Sequence, residues 1–155
     1  MRVEVESQVR IAVPREVVAS YSADPALAPD WYVNIKSVEW RSDPSTSVGA
    51  RIDFVAHFLG RRLAYTYEIV EHEPGQRLVM KTADDPFPME TEYTWMDHPE
   101  GGTRMTLANR GVPSGFGRIA APLMKRAIRR ANEKDLQLLK SILEREHGSS
   151  ARPSG

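Results

Sequence analysis

The sequence has no cysteine, which excludes disulfides, thiolate nucleophiles and sulfur-ligated metals. A chain without disulfides suits a reducing compartment. Net charge is also missing, because 21 basic residues balance 21 acidic ones. Nucleic-acid binding calls for a basic surface, and this balance argues against it. No run reaches the roughly 18 apolar residues of a membrane-spanning helix, so stable membrane insertion is not expected. The opening MRVEVESQVRIAV alternates charged and apolar residues and holds no continuous apolar segment of the signal-peptide kind. The expected address is therefore the cytoplasm. The histidines, His57, His72, His98 and His147, show no metal-ligand spacing. No metal and no other cofactor is expected. No phosphate-cradling glycine loop is present, since Gly111, Gly115 and Gly117 punctuate a helix start. Ser114–Gly115 reads as a helix cap region rather than as a nucleophile turn.

What is present is a contrast between a strand-rich body and a helical end. The length of 155 residues fits one domain with its own core. That domain is expected over 1–146, with a polar, disordered tail over 147–155. Val3, Val5, Ser7, Val9 and Ile11 alternate with charged and polar residues, the period of a half-buried strand. Pro14 then opens a short helix at a position where its missing N–H costs nothing. A second short helical segment begins at Asp24–Pro25 and is expected to break at Pro29, leaving Asp30–Trp31–Tyr32 in a connection. Strands are predicted over 35–41, 50–58, 61–70, 77–82, 89–96 and 103–110. Leu59–Gly60 is a tight hairpin turn. Short turns between successive strands imply an antiparallel meander.

From 116 to 146 the pattern is that of one long amphipathic helix. Ala120, Leu123, Met124, Ala127, Ala131, Leu138 and Ile142 recur at three, four and seven residues and are predicted to share the buried face. Pro122 lies inside this pattern and is expected to kink it. Ala127 and Ala131 on that face permit either close packing or room for a guest. Lys125, Arg126, Arg129 and Arg130 read as a solvated face, with an acidic partner or an anionic surface as the alternative.

A terminal helix and a run of strands bury their apolar faces against each other. The expected architecture is α+β, a curved antiparallel sheet of about seven strands around the long helix. Alternation assigns the inner face of each strand. It points Ile52, Phe54, Ala56 and Phe58 inward, along with Leu63, Tyr65, Tyr67 and Ile69. Thr91, Tyr93 and Trp95 share a face, as do Met105, Leu107 and Asn109. The candidate ligand-lining residues are Trp31, Trp40, Phe54, Phe58, Tyr65 and Tyr67 on the early elements. Met80, Tyr93, Trp95 and Leu107 follow on the later strands, and Leu123, Met124, Ala127 and Ala131 on the helix. The inward polar atoms are few. Tyr65, Tyr93 and Asn109 are the candidates for orienting a carbonyl or moving a proton.

In this order of elements the chain resembles the helix-grip superfamily, which includes START lipid-transfer domains and birch-pollen-allergen-like proteins. Within it, the chain is most similar to the bacterial polyketide cyclase/dehydrase branch. The resemblance spans 3–144. It is carried by the first strand leading into the Pro14 helix, Trp31 before SVEW, Gly49 before a strand, EIVEHEPGQRLVMK, GGTRMTL and the closing RIAAPLMKRAIRRANEKDLQLLKSILE. It implies a helix-grip fold with an internal cavity. Fold-level likeness does not choose among the functions such a fold hosts.

Three readings follow. The first is a binding or transport module for a hydrophobic or aromatic small molecule such as a lipid, polyketide or isoprenoid. The second is a polyketide cyclase or dehydratase, in which Tyr65, Tyr93 and Asn109 guide a folded substrate and much of the catalysis is positioning. The third is a non-catalytic partner-binding scaffold, marked by an exposed apolar patch near Trp31–Tyr32 and Phe87. An edge strand offers a route to a homodimer.

Overall fold

The computed structural model describes residues 3–83, 89–111 and 119–148. β1, Glu4–Ile11, buries every second residue, as its alternation dictates. α1, Arg15–Ser22, follows Pro14. A 3-10 turn, Pro25–Leu27, is capped by the Asp24 carboxylate, which accepts from the Ala26 N–H at 3.0 Å. α2, Ala28–Trp31, comes next. Pro29 thus sits in the first turn of α2 and starts it instead of breaking it, and Asp30 and Trp31 are helical.

Six further strands follow: β2 Ile35–Trp40, β3 Arg51–Phe58, β4 Arg61–Glu73, β5 Arg77–Thr82, β6 Glu90–Asp97 and β7 Thr103–Arg110. The seven-stranded sheet runs β1-β7-β6-β5-β4-β3-β2, with every pair antiparallel. The two short helices therefore carry the chain from one sheet edge to the other, and the meander returns it. The β3–β4 turn holds Leu59 and Gly60 at positive φ, 49° and 78°. This is the geometry that suits a twisted hairpin. Register shifts at Ile35/Ser37 and Ile69/Glu71 mark bulges, which add local bend.

α3, Ala121–Leu143, lies across the sheet and contacts β1. Two sequence expectations change here. Pro122 falls in the first helical turn, so it begins α3 and does not kink it. The buried face is also rotated from the expected one. Met124, Asn132, Asp135, Leu136, Leu139 and Leu143 are buried, whereas Leu123 is 62% and Leu138 36% exposed. The physical reason is that two polar residues, Asn132 and Asp135, face inward, which a hydrophobic periodicity assigns to solvent. At its far end α3 is tied to β1. Lys140 Nζ donates to the Arg10 carbonyl at 2.9 Å, and Glu144 accepts from the Ala12 N–H at 2.8 Å. A π turn, Glu144–Gly148, follows. The rest of the expected tail and the 116–118 start of the expected helix lie outside the described residues.

α1 is pinned to the sheet by Trp95, whose Nε1 donates to Ser22 Oγ at 2.9 Å. The outer sheet face carries paired charges. Arg77 bridges Glu71 and Glu92, and Arg110 bridges Glu90 and Glu92. Many of the balanced acids and bases thus meet on the sheet surface.

Candidate functional site

Between the inner sheet face and α3 lies a cavity of about 140 Å³. Strand alternation brings Phe54, Ala56 and Phe58 of β3 to its wall, with Leu63, Tyr65 and Tyr67 of β4 beside them. Met80, Thr91, Tyr93 and Asn109 contribute from β5, β6 and β7. α3 closes one side with Ile128, Ala131, Asn132 and Asp135, and Tyr32 and Asn34 enter from the α2–β2 connection. Phe54 stacks on Tyr65 at 5.6 Å between centroids, and Tyr65 meets Tyr67 edge-on at 5.1 Å.

The sequence-derived candidates divide by position. Phe54, Phe58, Tyr65, Tyr67, Met80, Tyr93, Asn109 and Ala131 line the cavity. Trp31 stands one layer behind it, fully buried, 4.1 Å from the Tyr32 ring and 5.8 Å from the Tyr93 ring. Trp95 and Leu107 are buried in the main core, and Trp40 packs at its margin. Met124 belongs to a separate cluster with Val3 and Val5. Leu123 is exposed, a consequence of the rotated helix face. Ala127 lines a neighbouring outer pocket. Among the described residues, Trp31 and Tyr32 do not contribute to the expected exposed patch, since Trp31 is buried and Tyr32 turns into the cavity. Phe87 lies outside the described residues.

Sequence reasoning placed the strand-borne polar groups, Tyr65, Tyr67, Thr91, Tyr93 and Asn109, and missed Tyr32 and the helix-borne Asn132 and Asp135. Tyr67 Oη donates to Thr91 Oγ1 at 2.9 Å, and Thr91 Oγ1 donates to Asn109 Oδ1 at 2.9 Å. Asn109 Nδ2 in turn donates to Asn132 Oδ1 at 3.0 Å. The relay ends on Asn132 Nδ2, a buried donor with no partner among the described residues. Buried donors are normally satisfied, so this one is open to an acceptor within the cavity that Asn132 lines. A second pair, the Tyr32 and Tyr93 hydroxyls, meets at 2.5 Å.

Asp135 completes the array. It is only 3% exposed, and its Oδ1 accepts from the Val33 N–H at 3.0 Å. Burial raises its carboxyl to about 7, and the Val33 bond only partly offsets that rise. Burial likewise raises the Tyr67 hydroxyl to about 12 and lifts Tyr32, Tyr65 and Tyr93 well above the ordinary phenol value. The tyrosines are thus neutral hydrogen-bonding groups near neutral pH, and Asp135 is the group that exchanges a proton there. The missed signal was spacing. Met124, Ile128, Asn132, Leu136, Leu139 and Leu143 recur at steps of four and three, a stripe that only its polar member disguises.

Among the described residues, no group of three or more His, Cys, Asp and Glu side chains is placed to hold a metal. No helix among them is long and apolar enough to cross a membrane.

No curated protein matches the chain. Among solved structures it is similar to the Zhui aromatase/cyclase from Streptomyces sp. R1128. The two are 16% identical over 100% of this chain and 99% of that one, with a TM-score of 0.78. A START superfamily protein from Mycobacterium smegmatis is 15% identical, covering 92% and 97% of the two chains, with a TM-score of 0.76. A protein from Thermus thermophilus is 20% identical over 89% and 94%, with a TM-score of 0.74. At these identities the likeness concerns the fold. The family model described as polyketide cyclase / dehydrase and lipid transport matches residues 2–144. With a helix-grip fold around an aromatic cavity and a match over nearly its whole length, the chain belongs to the polyketide cyclase/dehydrase and lipid transport family.

Proposed function

We propose that the protein binds a hydrophobic small molecule, in carriage or in storage, through an apolar portion about one ring wide and a hydrogen-bond acceptor. The observation that carries this reading is the orphaned Asn132 Nδ2 in an aromatic cavity. Apolar walls supply the affinity by burial, and the unpaired donor supplies orientation. The volume of about 140 Å³ is close to that of a cavity of about 150 Å³ known to take benzene. It is below the roughly 300 Å³ at which drug-sized sites begin. A ring or a short chain fits the enclosed part, and a larger molecule extends outward from it. Titration with 1-naphthol, read by quenching of tyrosine and tryptophan emission, tests this. Saturable one-to-one binding is expected, and Asn132→Leu weakens it about tenfold, the cost of one well-placed buried hydrogen bond. Absence of saturable binding up to millimolar naphthol overturns the reading.

A second reading, catalysis on a bound carbonyl compound, has one specific support. Asp135, titrating near neutrality, faces the same space as the Tyr32–Tyr93 pair. A carboxylate there suits removal of a proton α to a carbonyl, while a tyrosine hydroxyl donates to the developing enolate oxygen. This is the chemistry that opens an aldol cyclisation. Tyr93→Phe then lowers turnover of a short poly-β-ketone thioester more than it lowers binding. Unchanged turnover in Tyr65→Phe, Tyr93→Phe and Asn109→Ala alike removes this reading.

A further inference from the structure

Beside the aromatic cavity lies a second pocket of about 300 Å³. Its apolar walls are Val33, Phe58, Leu59 and Ala127, of which Val33 and Leu59 are 49% and 51% exposed. Its other lining includes Arg130 and Lys134 of α3. These two cations are four residues apart, so they stand one turn above the other on the same face. The two hollows share Asn34, Phe58, Ala131 and Asp135, and so adjoin as an inner and an outer part.

Among the described residues, the cations of the outer part have no carboxylate partner. Arg15, Arg41, Arg51, Arg77 and Arg110 all have carboxylate partners. Among the described residues neither Arg130 nor Lys134 has one. Asp135 does not serve them, because its carboxyl is raised by burial with no cation lowering it. Two cations without a carboxylate partner over an apolar pocket, adjoining an aromatic cavity, are complementary to one kind of molecule.

We propose that the outer pocket is an anion subsite, and that the ligand is an amphiphilic acid. Its apolar body occupies the aromatic cavity, and its carboxylate or phosphate head lies between Arg130 and Lys134. The inference rests on the binding reading above and adds the chemical class of the ligand. Asp135 sets a condition on it. When protonated, Asp135 is a neutral neighbour to the head, and when ionised it repels the head.

The test is a matched set of probes at pH 6: decanoate, decyl phosphate and decan-1-ol, with inorganic phosphate as a headgroup without a body. Binding is followed by calorimetry on the full chain. The expected result is that decanoate and decyl phosphate bind about five- to tenfold tighter than decanol, the reach of two partly exposed ion pairs. Arg130→Gln with Lys134→Gln brings that ratio to about one and leaves decanol unchanged. Lys125→Gln with Arg129→Gln, exposed cations on the same helix outside the pocket, preserves the ratio. Inorganic phosphate alone is expected to bind far more weakly than decyl phosphate. Decanol binding as tightly as decanoate overturns the anion subsite while keeping the binding reading. A ratio that survives the Arg130/Lys134 double change, or falls equally with Lys125/Arg129, also overturns it. Failure of all three chain-bearing probes overturns both.

Discussion

At the scale of single residues, Asp135 is the side chain with most to reveal. Its folded pKa of about 7 lies above the roughly 3.9 of an unfolded aspartate. The folded state therefore holds a proton that the unfolded state has released. The contribution of Asp135 to stability is greatest below the unfolded value and falls as pH rises from about 4 to about 7, by about 4 kcal/mol. Asp53, Glu92 and Glu144 have lowered values, so their contributions change at lower pH. The groups facing Asp135 are the Tyr32 and Tyr93 hydroxyls, neutral across this window, with Arg130 and Lys134 beside it on the outer pocket. Asp135→Asn keeps an acceptor for Val33 and removes the titration. Melting temperatures from pH 5 to 8 are expected to fall for the natural protein and stay level for the variant. Parallel curves would count against a buried, titrating Asp135. The Tyr32–Tyr93 pair makes a second prediction at this scale. Either single change to Phe strands a hydroxyl and costs about 1–2 kcal/mol, whereas the double change costs less than the sum. Additive losses in urea melts would deny the coupling.

At the scale of elements, the helix register is the informative quantity. Leu136→Ala is expected to cost about 2–5 kcal/mol, because Leu136 is buried. Leu123→Ala is expected to cost less than about 0.5 kcal/mol, because Leu123 faces solvent. The reverse order in denaturant unfolding would restore the face that hydrophobic spacing alone suggests. That spacing failed at one helix because it scores Asn132 and Asp135 as outward, although the cavity needs them inward. The strands suffered no such error. Their period of two placed Phe54, Tyr65, Tyr67, Tyr93 and Asn109 on the correct face, since a one-residue slip would turn an entire apolar set outward. Turns offer another contrast. A Cβ on Gly102 would lie 2.3 Å from the Ile11 carbonyl oxygen, whereas one on Gly60 meets nothing within 4 Å. Both glycines have positive φ. Gly60→Ala carries backbone strain alone, about 1 kcal/mol. Gly102→Ala adds a clash with backbone and is expected to cost at least twice as much. Equal losses would mean that the β6–β7 turn moves freely away from β1.

At the scale of the whole molecule, the sheet and helix act as a container whose stability and occupancy are linked. A ligand that binds only the folded state at about a hundred times its Kd adds about 2.7 kcal/mol. Filling the container has the opposite signature. Ala56 lines the cavity and is 6% exposed, so Ala56→Phe puts a ring into the space a guest would use. Naphthol is expected to raise the melting temperature of the natural protein and leave that of Ala56→Phe unchanged. An equal rise in both would place the naphthol elsewhere. Container and contents differ in how they arise. The container follows from apolar burial, which many side-chain sets satisfy, and so its fold is shared at 15–20% identity. The contents depend on a handful of polar and charged groups that burial does not specify.

Local patterning in the chain was enough to set the seven strands, the inward face of each and their antiparallel order. Each of these rests on periodicity and turn chemistry, which act over a few neighbouring residues. Packing in three dimensions settled which face of α3 is buried and which aromatics border space instead of packing against each other. It also joined Tyr67, Thr91, Asn109 and Asn132 into one relay. Those relations link residues as far apart as Val33 and Asp135, 102 positions along the chain. Asp135 titrates near neutrality because folding removes water from its carboxyl, and Arg130 and Lys134 border the outer pocket because α3 is set down in one register and no other.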